Sequence, residues 1–173
     1  MITYEHLVGL WGEANVVRAD PAQVAALRLP RKTTRALIEI GLPRRVEGCF
    51  EVVSPTLVEA PHRPGRYCHI GDEALRWSTA QFWVDAETGA IRYIDPDTKT
   101  PERMPDRFVN ASLPLFIESL YLDARARGRW SGLSEQAIIA RAGELRATLR
   151  RLDPLAFEDP DSYWPTVFED IWE

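Results

Sequence analysis

Phe82-Trp83-Val84-Asp85-Ala86-Glu87-Thr88-Gly89-Ala90-Ile91-Arg92-Tyr93-Ile94 is the stretch whose reading decides the fold. On either side of Glu87-Thr88-Gly89, apolar residues recur at every second position, Phe82 and Val84 before the turn, Ile91 and Tyr93 after it. That is the period of strands with one buried face, and a Gly-containing turn between two such runs predicts a hairpin. Working outward, Gly71-Asp72 stands before the hairpin. Phe108-Val109-Asn110-Ala111-Ser112-Leu113 follows it and reads as a short strand running into a helix capped by Ser112 or Asn110.

Further strands are expected over 49–53, 67–70, 81–85, 90–94 and 107–109, each short and bounded by Gly, Pro or Asp. Strands this close in sequence pair antiparallel. The proline-rich stretch from Asp95-Pro96-Asp97 to Met104-Pro105-Asp106 cannot sit inside a sheet and is expected to form an exposed loop. Helices fill both ends of the chain. Thr3 starts one that Gly12 stops, Asp20-Pro21 starts a short one through Leu27, and 31–40 forms a third that Gly41 ends and Pro43 keeps from continuing. After Ser112, the apolar set Leu113, Phe116, Ile117, Leu120 and Ala124 has the three-and-four spacing of a buried helical stripe, closed by Gly128. From Ser134 a longer helix buries Ile138, Ala142, Leu145, Leu149 and Leu152, and Asp153-Pro154 breaks it. Ser162 caps a last short helix whose apolar edge is Trp164, Val167, Phe168 and Ile171. The expectation is one α+β domain over residues 1–173: a mostly antiparallel sheet of about five strands packed by N- and C-terminal helices.

Gly41-Leu42-Pro43, Phe50, Gly71-Asp72, Val84-Asp85, Thr88-Gly89 and the run Phe108 to Leu113 stand in the order of a family pattern. In these residues the chain resembles the SUKH superfamily, and within it the fourth subfamily of bacterial immunity proteins. The pattern covers about Leu29 to Leu122. The resemblance implies the SUKH-like α+β fold and a non-enzymatic protein of a polymorphic toxin system that binds and neutralises a cognate toxin, often a nuclease. It brings no catalytic residues with it. A general interaction scaffold, the role implied by the eukaryotic cell-wall-regulator branch of the superfamily, is the first alternative, and a small hydrolase using Cys68 or a histidine, with His6 or His62 as a distant base, is the second. The stretches 44–48 and 55–64 and the C-terminal tail match no part of the pattern, and such loops are where partner specificity resides.

The residues themselves argue against chemistry. Cys68 and His69 are adjacent on a predicted strand, so their side chains point to opposite faces and cannot form a thiol–imidazole pair. His62, His69, Asp72 and Glu73 cluster in sequence without the spacing of a metal site, and Asp72 is expected to shape a turn after Gly71. Neither phosphate-loop spacing occurs. No cofactor is expected. Cys49 and Cys68 lack the spacing of a disulfide framework and read as buried thiols. No apolar run approaches the ~20 residues of a membrane span and no basic cluster opens the chain, so the cytoplasm is the expected compartment.

Charge points to a partner. Lys and Arg number 21 against 26 Asp and Glu, and the imbalance is uneven: from Glu158 to Glu173 there is no Lys or Arg. Asp159, Asp161, Glu169 and Asp170, with Trp164 and Trp172, are the candidate partner-binding residues: aromatics supply anchor area, while carboxylates steer a basic partner. The competing reading has both tryptophans packed onto the domain. The arginines of 125–151 have acidic neighbours and read as a solvated face, so direct nucleic-acid binding is not expected. A Trp83–Tyr93 sheet face is a second surface that would suit a dimer or a toxin.

Overall fold

The computed structural model describes residues 1–58, 65–95 and 106–169. The proline-rich stretch 96–105, most of 55–64, and Asp170 and Trp172 therefore fall wholly or partly outside the described residues. The chain runs α1 (Tyr4–Trp11), β1 (Val16–Val17), α2 (Pro21–Leu27), α3 (Arg31–Arg35) with a wider π turn (Ala36–Ile40), β2 (Leu42–Pro43) and β3 (Arg45–Val46). Then come β4 (Phe50–Val58), β5 (Tyr67–Asp72), β6 (Gln81–Asp85), β7 (Ile91–Ile94) and β8 (Arg107–Asn110). The chain closes with α4 (Leu113–Arg127), α5 (Glu135–Leu152) and α6 (Tyr163–Glu169). Strands β3 to β8 form a six-stranded sheet in sequence order, every pair antiparallel, and β1 pairs with β2 apart from it.

The expected α+β class holds, with three two-residue strands that have no period to detect. Helix ends fall where the capping chemistry puts them. Asp20 Oδ1 accepts from the Ala22 amide at 2.8 Å, and Ser134 Oγ accepts from Ala137. Gly12 and Gly41 end their helices with φ of +82° and +81°, a region costly to any residue with a Cβ. The Gly41 amide donates to the Ala36 carbonyl at 2.8 Å, the five-residue step of a π turn, and a Cβ on Gly41 would meet the Val17 carbonyl oxygen. Gly41 thus closes α3 and lets β2 lie against β1.

Strand β4 continues well past Val53. Its register shifts between Val52 and Thr56, which takes Ser54 and Pro55 out of the ladder, so a proline without an amide proton is tolerated there. The hairpin β6–β7 has the predicted turn. Asp85 Oδ1 accepts from the Glu87 and Thr88 amides at 2.8 and 3.0 Å, and Gly89 takes φ of +80°.

The rings of Phe50, Phe82 and Phe116 pack mutually at 5.3–5.5 Å between β4, β6 and α4, and Tyr93, Tyr163 and Trp164 extend the cluster beneath α6. Phe50 reaches that position only because Gly71 has no side chain: a Cβ there would sit inside van der Waals contact of the Phe50 ring and 2.8 Å from the Glu51 carbonyl oxygen. The register shift between His69 and Gly71 sets Asp72 at the last position of β5, where it pairs with His69 Nε2 at 2.8 Å. The expected role of Asp72 in a turn is corrected accordingly: its oxygen is taken by the imidazole across the bulge.

Asn110 is fully buried at the β8–α4 junction. Its Nδ2 donates to Asp153 Oδ2 at 2.9 Å and Ser119 Oγ at 3.3 Å, and its Oδ1 accepts from Trp164 Nε1 at 3.0 Å. Asp153 also accepts from the Ala111 amide. One side chain thereby ties β8, α4, the end of α5 and α6, which leaves Ser112 as the N-cap residue.

Gly71→Ala is expected to cost about 2–3 kcal/mol by overpacking against Phe50, read by urea unfolding; a loss below 0.5 kcal/mol would mean that the ring moves freely. Asn110→Ala is expected to cost about 2–4 kcal/mol, because the Trp164 indole and Asp153 lose a buried partner. Near-neutral stability in the same measurement would show that the network is dispensable.

Candidate functional site

Each predicted partner-binding residue can now be placed. Asp159, Asp161 and Glu169 are exposed. Asp159 Oδ1 accepts from the Asp161 amide at 2.9 Å, an Asx turn that leads into α6, so one oxygen shapes the backbone while the rest of the carboxylate faces solvent. Glu169 is the last described residue of α6. Trp164 is corrected. It is fully buried, bonded to Asn110 and stacked edge-on to Tyr163 at 5.3 Å, and offers no surface to a partner.

The Trp83–Tyr93 face also dissolves. Trp83 lies opposite Arg92, and Tyr93 opposite Phe82, so the two aromatics point to opposite sides of the sheet. Tyr93 packs inward on Phe82 and Tyr163 and donates to Glu73 Oε2 at 3.0 Å. Trp83 is buried on the far side with Tyr67 and Ile94, its Nε1 bonded to Gln81. Neither ring is free to stack on a base or on a second copy.

The thiols are chemically quiet. Burial pushes Cys49 up to about 12, helped by the Asp123 charge, while its Sγ sits 3.1 Å from the Tyr163 hydroxyl. Burial likewise raises Cys68 to about 11, and its Sγ contacts the His69 carbonyl rather than an imidazole. Among the described residues His69 is paired with Asp72 and His6, in α1, with Thr3, its N-cap residue, while His62 lies outside them. No group of three or more His, Cys, Asp or Glu among the described residues could hold a metal, and no helix among them is long and apolar enough to cross a membrane.

Two features escaped the sequence reading. Between α4 and α5 an open cleft of about 400 Å³ is floored by Leu122, Trp130 and Leu145 and rimmed by Arg125, Arg129 and Arg141. In the β5–β6 connection, Trp77 is 86% exposed and Leu75 52%, and the Arg76 guanidinium lies over the Trp77 ring at 5.1 Å. The signal was present. A tryptophan placed in the loop of a hairpin belongs to neither strand and has no face to bury.

The family model of the SUKH-4 immunity proteins matches residues 2–170, and the chain belongs to that family. Immunity implies a toxin as partner and binding rather than catalysis as the work. No curated protein and no solved structure matches the chain.

The thiols supply a pH test. Folded-state values raised above the unfolded ~8.5 mean that stability is whole below that value and lost as pH climbs toward about 11 and 12. Urea unfolding between pH 8 and 10.5 is expected to lose up to about 1.4 kcal/mol per pH unit for each thiol. At pH 8 a thiol reagent is expected to react at least about 100-fold more slowly with the folded than the unfolded chain. Equal rates would place the thiols in reach of solvent.

Proposed function

We propose that this chain acts as a single binding domain that neutralises a basic nuclease toxin of a polymorphic toxin system, in the cytoplasm of the cell that makes it. Family membership supplies the toxin. The observation that carries the rest is the base-free C-terminal segment, in which Asp159, Asp161 and Glu169 stand exposed and Asp170 continues the run in sequence. Nucleases bind a polyanion and tend to be basic, so a patch of carboxylates attracts them at long range and occupies the groups that would otherwise hold phosphate. Exposed carboxylates of this kind act chiefly on the rate of encounter and on the choice of partner.

Simultaneous reversal of Asp159, Asp161, Glu169 and Asp170 to Lys tests this. The expected result, against the cognate toxin purified in an inactivated form, is an association rate lowered at least about 10-fold at 50 mM salt, with the gap closing by 0.5 M. Protection of cells expressing the active toxin should fall in parallel. Unchanged protection with an unchanged salt dependence would remove the acidic segment from the interface.

A further inference from the structure

We infer that the toxin docks on the end of the sheet where β4 begins, β5 ends, β6 begins and β7 ends, with Trp77 and Leu75 as the anchors that enter an apolar pocket on a cationic protein surface. The inference rests on the neutralisation reading and places its anchors, Leu75 and Trp77, at positions that are not among the quoted motif residues.

The register brings the surface together. Arg45 lies opposite Glu51, Glu51 opposite Asp72, Asp72 opposite Gln81, and Gln81 opposite Ile94, so one line of the ladder crosses the sheet at this end. The β5–β6 loop rises from it on a stapled base. The Glu73 amide donates to the Ala80 carbonyl at 2.9 Å and the Ala74 amide to the Cys49 carbonyl at 3.3 Å, while Thr79 Oγ1 donates to Asp95 Oδ1 at 2.6 Å. Ala74 and Ala80 are buried and pin both feet of the loop. Between them Leu75 and Trp77 are held outward, and a lone exposed leucine would be ordinary where an exposed tryptophan two residues away is not. A rigid aromatic on a fixed base loses little entropy when a partner closes over it, the property that makes tryptophan the common anchor of interfaces.

Charge names the occupant. Around the loop, among the described residues, stand the carboxylates of Glu47, Glu51, Asp72 and Glu73 against the guanidinium groups of Arg45 and Arg76. Arg45 is already held by both Glu47 and Glu51. Arg76 lies on the Trp77 ring, where it adds a planar face to the anchor. The surroundings of two apolar anchors are thus acidic, and a lysine- or arginine-rimmed pocket complements them while an acidic one does not. The acidic segment before α6 is fastened to the same end: the Tyr163 hydroxyl meets Cys49 Sγ, and the Cys49 carbonyl receives the Ala74 amide.

The test uses the full chain and the purified, inactivated cognate toxin. Trp77→Ala is expected to weaken binding about 30-fold or more, with an unchanged unfolding midpoint because the ring is exposed. Leu75→Glu should act likewise. Leu133→Ala, an exposed leucine far along the chain on the α4–α5 connection, should bind as the unaltered chain does. If the unaltered chain and Trp77→Ala bind equally, or Leu133→Ala is the variant that fails, the docking end is overturned while neutralisation stands. If the unaltered chain does not bind the toxin at all, the neutralisation reading falls and the docking end falls with it.

Discussion

The Asn110 carboxamide is the point on which the helical half of the molecule turns. A buried amide has four hydrogen-bonding positions and is tolerated in a core only when they are largely filled. Here three of the four are used, by Ser119 on α4, Asp153 at the end of α5 and the Trp164 indole on α6, and Asp153 in turn holds the Ala111 amide. The apolar contacts of the phenylalanine cluster supply more energy, on the order of 1.5–3 kcal/mol per buried ring, but such contacts tolerate sliding. The amide does not: shifting α5 or α6 would strand a donor or a carboxylate away from water. The network therefore fixes where the helices sit on the sheet.

The residues that carry the family pattern are nearly all explained by the fold. Gly41 closes a π turn against β1, Gly71 makes room for Phe50, Asp85 and Gly89 build a turn, and Asn110 binds the helices. None is needed to touch a partner. A pattern made of such positions identifies the scaffold and is silent about the toxin.

What was legible in the sequence divides along the same line. Strand β6 and its turn could be read to the residue, because alternation and turn chemistry are local. Helix ends followed from Asp20, Ser134, Gly12 and Gly41 for the same reason. The two-residue strands β1, β2 and β3 were invisible since no period fits in two residues. The Asn110–Asp153 bond joins positions 43 apart and leaves no local mark. Trp164 misled because the apolar edge of a short helix looks alike whether it faces a core or a partner; only burial separates them. Asp72 misled because a register shift, which no pattern shows, handed its oxygen to His69.

The sheet also limits the manner of recognition. Its outer strands are β3, with two residues, and β8, with four, the latter flanked by α6 and the turn Pro154–Phe157. Among the described residues, edges this short offer few free backbone groups on which a partner could lay down a strand of its own. Side chains at loop tips can be exchanged one at a time without touching a ladder bond or the aromatic cluster. Such a scaffold can follow a changing adversary through many substitutions while its own folding is left alone.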